Sequence, residues 1–196
     1  MSDPTGKLIR VIAQGPGNLL AKTKITPSQV TFLGLLVNCL VAFFIAKIAK
    51  GELGYLIIGI LIWVAGFFDA LDGSVARATG KTTVFGNFWD SVVDRYADSV
   101  IYFGILLHFL KLGETDYVIL VVIAIVGSLA VSYTRAKAES LDQECEVGLM
   151  PRSVRIIILG ASFCINQVFW GLVIVAVFSH LTVLQRISHV YRNLNK

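Results

Sequence analysis

The sequence predicts an all-α integral membrane protein with six transmembrane helices and an N-terminal amphipathic juxtamembrane segment. Of its 196 residues, 56% are hydrophobic and 15% are charged, against about 25% charged residues in an ordinary soluble domain. The mean hydropathy is +0.75. The apolar residues form blocks rather than stripes, and about 20 residues of helix cross the ~30 Å hydrocarbon core of a bilayer. These observations favour membrane-spanning helices over a soluble core.

Six apolar blocks are the predicted spans. They cover residues 30–49, 53–71, 87–110, 117–135, 153–167 and 168–187. Hardly any polar residue separates the last two blocks, so the boundary around Asn166 and Gln167 is the least defined. Met1–Thr26 has no continuous apolar core of the kind found in a cleavable signal peptide.

The sequence predicts a juxtamembrane segment at residues 1–26, followed by a membrane domain at residues 27–196. Lysine and arginine mix here with leucine, isoleucine and valine, a pattern typical of a helix that lies on a membrane surface. Gly15-Pro16-Gly17 predicts a break into two short pieces, and a disordered basic tail is the alternative. Thr26 and Pro27 predict the N-cap and first turn of the next helix.

The distribution of lysine and arginine predicts the orientation in the membrane. With six spans, both termini and the loops at 72–86 and 136–152 share one side, which carries most of these residues. The opposite side holds Lys47, Lys50 and Lys111. Because positive residues accumulate on the cytoplasmic side, we expect both termini and these loops to be cytoplasmic. The net charge of +4 gives no reason to expect a nucleic-acid partner.

Four aspartates lie at the ends of two predicted spans. Asp69 and Asp72 are three residues apart, and Asp90 and Asp94 are four apart, spacings that place each pair on one helix face. An Asp near the bilayer centre costs about 2.5–3.5 kcal/mol on insertion scales, so four of them indicate a function. Two such pairs on facing helices predict an oxygen-lined site for divalent cations. Polar contacts between helices and a proton path are the alternatives.

Further polar residues surround this acidic stretch. Gly73 leaves room for a ligand to approach the backbone, and Arg77 can offer a planar donor fork to a phosphate. Asp98 continues the face of Asp90 and Asp94 one turn deeper, either behind the metal ligands or in a polar contact between helices. Positive residues at predicted helix ends suit an anionic water-soluble substrate, although positive-inside bias also produces such charges. They are Arg135, Lys137, Arg152, Arg155 and Arg186.

These residues resemble the signature of the CDP-alcohol phosphotransferase family. Residues 69–94 fill every fixed position of Asp-x2-Asp-Gly-x2-Ala-Arg-x8-Gly-x3-Asp-x3-Asp. The resemblance implies transfer of a substituted phosphate from a CDP-linked alcohol to an acceptor hydroxyl, with release of CMP. It also implies two divalent cations, Mg²⁺ or Mn²⁺, as cofactors. Their ligands match Asp69, Asp72, Asp90 and Asp94, and Asp94 also matches the general base.

The resemblance extends to the substrates. The residues that match contacts to the CDP-lipid are Ser28, Gln29, Val30, Thr31, Gly73, Arg77 and Thr83. The stretches Ser132–Glu139, Pro151–Arg155 and Val183–Arg186 are similar to those of phosphatidylinositol-phosphate synthases and archaetidylinositol-phosphate synthases. This implies CDP-diacylglycerol or CDP-archaeol as donor, inositol 1-phosphate as acceptor, and a homodimer. The residues that match contacts to the acceptor phosphate are Arg135, Arg152, Arg155 and Arg186.

Two alternatives stay open from the sequence. The first is the same transfer to glycerol 3-phosphate. The second, from a different class, is a cation or proton transporter whose intramembrane carboxylates bind the transported ion. Transporters of that kind often contain inverted repeats, and no internal repeat is visible here. A positive Arg77 beside the carboxylates also disfavours the transporter.

Overall fold

The computed structural model describes residues 4–23, 25–48 and 51–195, and within these ranges it contains seven α-helices and no strand. The parts of the predicted segments at Met1–Asp3, Lys24, Ala49, Lys50 and Lys196 lie outside the described residues. The helices are α1 (Pro4–Ala21), α2 (Pro27–Ile48), α3 (Gly51–Thr79), α4 (Val84–Leu112), α5 (Thr115–Glu139), α6 (Arg152–Cys164) and α7 (Val168–Leu194).

Four of these helices, α2, α3, α5 and α7, are long and apolar enough to cross a membrane by length and composition. The other two helices of the predicted domain differ for separate reasons. Helix α4 has 29 residues, but charged side chains interrupt its apolar sequence. Helix α6 has 13 residues, about 20 Å of helix, which is shorter than the hydrocarbon core. The helical, multi-pass character is therefore supported, and the number of six spans stays a prediction.

Helix α1 is continuous, so the prediction of two short pieces was wrong. Pro16 lies inside the helix and removes one backbone hydrogen-bond donor. Packing on α3 compensates for that loss, because Ala13 is fully buried in a cluster with Leu71 and Val75 of α3. Gly17 lies so close to α3 that an added Cβ would be 2.5 Å from the Cβ of Ser74. Tertiary packing, which a local helix-breaker rule omits, thus stabilises α1 on both sides of Pro16.

The main core connects the long helices. Helix α2 packs on α3 and α4, α5 packs on α4 and α7, and α6 packs on α3 and α7. Ile45, Ile105 and Leu172 are fully buried in the apolar cluster between them. At the crossing of α2 and α4, a Cβ on Gly104 would be 2.6 Å from the carbonyl oxygen of Ala42. Such close backbone approach at a small residue is typical of packed membrane helices.

A four-residue turn joins α3 to α4. Helix α3 continues eight residues beyond the predicted span end at residue 71, so the acidic motif is itself helical. The left-handed conformation of Gly80 (φ +63°) follows the end of α3. Thr83 then caps α4, its Oγ1 accepting a hydrogen bond from the Gly86 backbone N–H at 2.9 Å. The loop expected at 72–86 is therefore only residues 80–83, because α3 remains helical to Thr79 and α4 begins at Val84. This turn returns the chain beside the acidic end of α3.

Candidate active site

Three aspartates from two helices surround the guanidinium of Arg152. Its Nη2 donates to Asp69 Oδ2 at 2.6 Å, its Nη1 to Asp94 Oδ1 at 2.7 Å, and its Nε to Asp98 Oδ1 at 2.8 Å. Asp69 belongs to α3, Asp94 and Asp98 to α4, and Arg152 begins α6. The Arg152 side chain is only 21% exposed. Bonds between opposite charges in such a shielded place are stronger than at an open surface.

The other two motif aspartates contact each other. The carboxyl groups of Asp72 and Asp90 lie close enough to interact electrostatically, and the Thr31 side chain lies beside Asp72. The backbone N–H of Gly73 donates to Asp72 Oδ1 at 2.5 Å. The helical spacing predicted for the aspartates is confirmed, but the contacts run across the helices. Asp69 and Asp94 share Arg152, whereas Asp72 meets Asp90.

The chemistry of these residues fits divalent cations. Two neighbouring carboxylates such as Asp72 and Asp90 repel each other unless a proton or a cation compensates their charge. Within residues 4–23, 25–48 and 51–195, no three His, Cys, Asp or Glu side chains are arranged as a complete metal site. Arg152 instead supplies the positive charge between Asp69 and Asp94. An all-carboxylate donor set suits hard cations such as Mg²⁺, and Asp69 and Asp94 would be free to hold one if Arg152 released them.

Sequence reasoning missed two polar contacts of this site. Buried Asn38 on α2 donates from Nδ2 to Asp69 Oδ1 at 3.4 Å and to the Gly34 carbonyl at 2.9 Å. Arg95 places Nη2 3.7 Å from Asp94 Oδ2. The available signal for Asn38 was a lone amide inside an apolar span, which is a rare and usually functional position.

The first turn of α2 is a capping box, which confirms the predicted helix start. Thr26 N–H donates to Gln29 Oε1 at 2.9 Å, and Gln29 N–H donates to Thr26 Oγ1 at 3.4 Å. Ser28 and Gln29 line an open, mainly apolar groove of about 520 Å³ that also includes Trp89 of α4. Val30 is instead buried in the small core cluster beneath α1.

The remaining residues expected to contact the CDP-lipid lie along α3 and the turn after it. Arg77 donates from Nη2 to Ser74 Oγ at 3.1 Å. An added Cβ on Gly73 would be 3.3 Å from Arg77 Nη1, so these two residues are neighbours on one turn. Thr83 uses its hydroxyl oxygen as the α4 cap. The structure thus shows local contacts for these side chains, and their roles toward a nucleotide stay predictions.

Two of the arginines expected to hold the acceptor phosphate are buried against protein groups. Arg155 is 2% exposed and donates to Asp98 Oδ2 and to the Met150 carbonyl, each at 3.1 Å. Arg186 donates from Nε to the Val147 carbonyl at 3.0 Å and from Nη1 to the Val131 carbonyl. Both arginines therefore fix the loop 140–151 against the helices.

The other two arginines differ in exposure. Arg152 is enclosed by the aspartates, whereas Arg135 forms an exposed ion pair with Glu139 at 2.7 Å. Arg135 and Arg155 both lie within electrostatic range of Arg186. Burial raises the pKa of the Cys145 thiol in the loop beside them, which keeps that thiol neutral.

The model of the CDP-alcohol phosphatidyltransferase family matches residues 24–184. The chain belongs to this family. Membership confirms the enzyme class predicted from the motif and excludes the transporter alternative. The chain is 36% identical over 181 residues to archaetidylinositol phosphate synthase of Pyrococcus horikoshii, covering 91% of this chain and 90% of that protein.

Solved structures of phosphatidylinositol phosphate synthase of Mycobacterium tuberculosis share the fold. The structure with CDP-DAG bound is 27% identical, with a TM-score of 0.78 and coverage of 94% of both chains. The complex with manganese and citrate is 26% identical, with a TM-score of 0.80 and coverage of 91% of this chain and 88% of that one. The helical arrangement described above is therefore the arrangement of a lipid-synthesising enzyme family.

Proposed function

We propose that this enzyme transfers the phosphatidyl or archaetidyl group from a CDP-linked lipid to inositol 1-phosphate and releases CMP. The observation that carries the proposal is the convergence of Asp69 and Asp94, from two different helices, on one guanidinium group. Relatives named archaetidylinositol phosphate synthase and phosphatidylinositol phosphate synthase support the donor and the acceptor. The membrane helices suit a lipid donor.

In the proposed step, a hydroxyl of inositol 1-phosphate attacks the phosphorus that carries the lipid. The new phosphorus–oxygen bond forms while the bond from that phosphorus to the CMP oxygen breaks. Asp94 takes the proton of the attacking hydroxyl, which requires Arg152 Nη1 to leave its carboxylate. Two divalent cations held by Asp69, Asp72, Asp90 and Asp94 supply charge neutralisation at the pyrophosphate when bound. Mg²⁺ and Mn²⁺ share these ligand preferences.

The substrate contacts follow the same proposal. Ser28 and Gln29 line the open groove at the start of α2, and Thr31 lies beside Asp72. Together with Val30, Gly73, Arg77 and Thr83 they form the nucleotide side of the site. Arg152 is the best placed of the four arginines for the acceptor phosphate, because it already lies beside the general base. Arg135, Arg155 and Arg186 complete the positive surroundings.

The membrane arrangement is part of the proposal. Helices α2–α7 form the six-span domain at residues 27–196, and residues 1–26 form the juxtamembrane segment. We place the acidic motif and both termini on the cytoplasmic side. Lys111 Nζ donates to the Ala46 carbonyl at 2.9 Å, so the C-terminal ends of α2 and α4 lie together. This contact supports placing Lys47 and Lys111 on the same side of the membrane. From the family resemblance, the proposal also includes assembly of the enzyme as a homodimer.

The decisive experiment is CMP release by purified protein. CDP-diacylglycerol and CDP-archaeol are each supplied with Mg²⁺, and inositol 1-phosphate, free inositol and glycerol 3-phosphate are compared as acceptors. We expect release with inositol 1-phosphate, because its phosphate provides the anionic group that the arginines require. An Asp94→Asn preparation serves as the inactive control, and exposed Asp142→Asn, at φ +55° where asparagine is also tolerated, serves as the matched active control.

Each outcome has a distinct meaning. Release with glycerol 3-phosphate alone would keep the family chemistry and overturn the acceptor. Equal release with free inositol would remove the role of the acceptor phosphate. No release with any combination of donor and acceptor would refute the proposed function.

A further inference from the structure

Asp98 lies between two arginines and uses both of its carboxylate oxygens. Oδ1 accepts from Arg152 Nε at 2.8 Å, and Oδ2 accepts from Arg155 Nη2 at 3.1 Å. Its side chain is 11% exposed. Asp98 is not one of the four motif aspartates, yet it lies one helical turn beyond Asp94 on the same face of α4.

Arg155 is the fixed side of this arrangement. It is almost completely buried, and its second terminal nitrogen donates to the Met150 carbonyl at 3.1 Å. Its backbone N–H donates to the Pro151 carbonyl at 3.2 Å in the first turn of α6. An arginine held at the backbone and at both ends of its fork keeps Asp98 in one position.

The three nitrogens of Arg152 have partners of two kinds. Nη1 and Nη2 bond Asp94 and Asp69, which are expected to bind cations, whereas Nε bonds Asp98, which is outside the motif. If Asp69 and Asp94 held a cation, Arg152 would lose these two partners and keep Asp98 as the third. The bond from Nε to Asp98 then holds the side chain beside the site with two free donors.

We propose that Asp98 is a positioning residue that retains Arg152 at the site, so that its Nη1 and Nη2 pass from the aspartates to the acceptor phosphate. This inference rests on the proposed function and deepens it, since it assigns the specificity for a phosphorylated acceptor to a pair of residues. Planar donor forks bind phosphate with two parallel hydrogen bonds, which requires a fixed guanidinium plane. Asp98 fixes that plane through Nε.

The test compares Asp98→Asn with wild type. Asparagine keeps the shape but loses the charge and turns an amide N–H₂ toward one of the two arginine donors. We expect the KM for inositol 1-phosphate to rise by about tenfold or more, the loss expected for one charge-assisted hydrogen bond. The KM for CDP-lipid should change less than about twofold. Asp142→Asn is the control, because it removes an exposed aspartate from the loop 140–151.

Two further measurements separate positioning from a structural role. In an Arg152→Ala background, Asp98→Asn should change the acceptor KM little, because Asp98 acts through Arg152. Binding of Mn²⁺ followed by electron paramagnetic resonance should be retained in Asp98→Asn, since the four motif aspartates remain. Asp98→Glu should restore part of the acceptor affinity. A cavity of about 20 Å³ beside Asp98, also lined by Asn38 and Tyr102, gives the longer side chain some room.

The outcomes are distinguishable from a failure of the proposed function. If wild type releases no CMP with inositol 1-phosphate, the proposed function fails. If wild type is active and Asp98→Asn leaves the acceptor KM unchanged, the positioning role is refuted. An equal rise of both KM values, or full additivity with Arg152→Ala, would also refute it.

Discussion

Replacing Arg152 by methionine should destabilise the metal-free protein strongly. Methionine has a similar length but carries no charge, so Asp69 and Asp94 lose the guanidinium group that lies between them. Asp98 keeps its bond to Arg155. Among the residues that the structure describes, Asp69 then has no ion-pair partner, and Asp94 keeps only Arg95 at 3.7 Å. Both carboxylates are largely shielded from solvent, the situation in which breaking an ion pair is most costly.

The size of the effect follows from this burial. Removing one partner of a buried ion pair costs about 3–5 kcal/mol. One kcal/mol shifts the midpoint by about 2–4 °C in a protein of this size, so the expected loss is about 6–20 °C. Saturating Mg²⁺ should reduce the difference to less than half, because a cation that binds the folded state replaces the missing charge.

The measurement is thermal unfolding in detergent at one fixed heating rate, since unfolding of membrane proteins is often irreversible. Each variant is heated in EDTA and in Mg²⁺. Arg135→Met is the matched control, because the Arg135–Glu139 pair is about half exposed and has the i,i+4 spacing of a surface pair. Such a pair contributes about 0.3–0.5 kcal/mol, so the control should shift the midpoint by about 1–2 °C.

Two results would contradict this reasoning. An Arg152→Met midpoint in EDTA equal to that of Arg135→Met would mean that the guanidinium does not neutralise the aspartates. A difference that grows on addition of Mg²⁺ would mean that Arg152 supports cation binding rather than competing with it.

Three further changes test the site and the helix packing. Asp94→Asn should lower CMP release by about 10²–10⁴-fold while CDP-lipid binding persists, and unchanged activity would remove Asp94 as the base. Thr26→Ala should cost about 0.5–2 kcal/mol of unfolding free energy, and adding Gln29→Ala should cost little more, because the two form one reciprocal cap. Gly104→Ala should cost about 1–3 kcal/mol, since its Cβ meets the Ala42 carbonyl, and an unshifted thermal midpoint would contradict the close helix contact.

The helices were largely predictable because apolar blocks of fixed length leave few alternatives. The uncertain boundary around Asn166 lies in the short connection between α6 and α7. Helix α1 was mispredicted, because Pro16 is a local signal, whereas the burial of Ala13 against α3 depends on a distant part of the chain. The continuation of α3 to Thr79 was also missed, because hydropathy falls at the acidic motif although the backbone remains helical.

The candidate site was predictable in its composition but not in its contacts. Spacing identifies Asp69, Asp72, Asp90 and Asp94, because helix geometry relates residues three or four apart. Spacing does not show that Arg152, more than fifty residues away, lies among three carboxylates. A contact between helices depends on their crossing, and no local pattern encodes it.

The position of Arg152 explains how the charges of Asp69 and Asp94 are compensated inside a membrane enzyme. Uncompensated carboxylates would be costly there, and a guanidinium neutralises them without closing the site permanently. Arginine is suited to this because its charge is constant and its nitrogens point in three directions, whereas a lysine could not hold three carboxylates in one plane. If Asp69 and Asp94 hold cations as proposed, these cations compete with Arg152, and cation binding would free its donors for a phosphate. The proposed dependence on metal and the proposed preference for a phosphorylated acceptor would then have one structural origin.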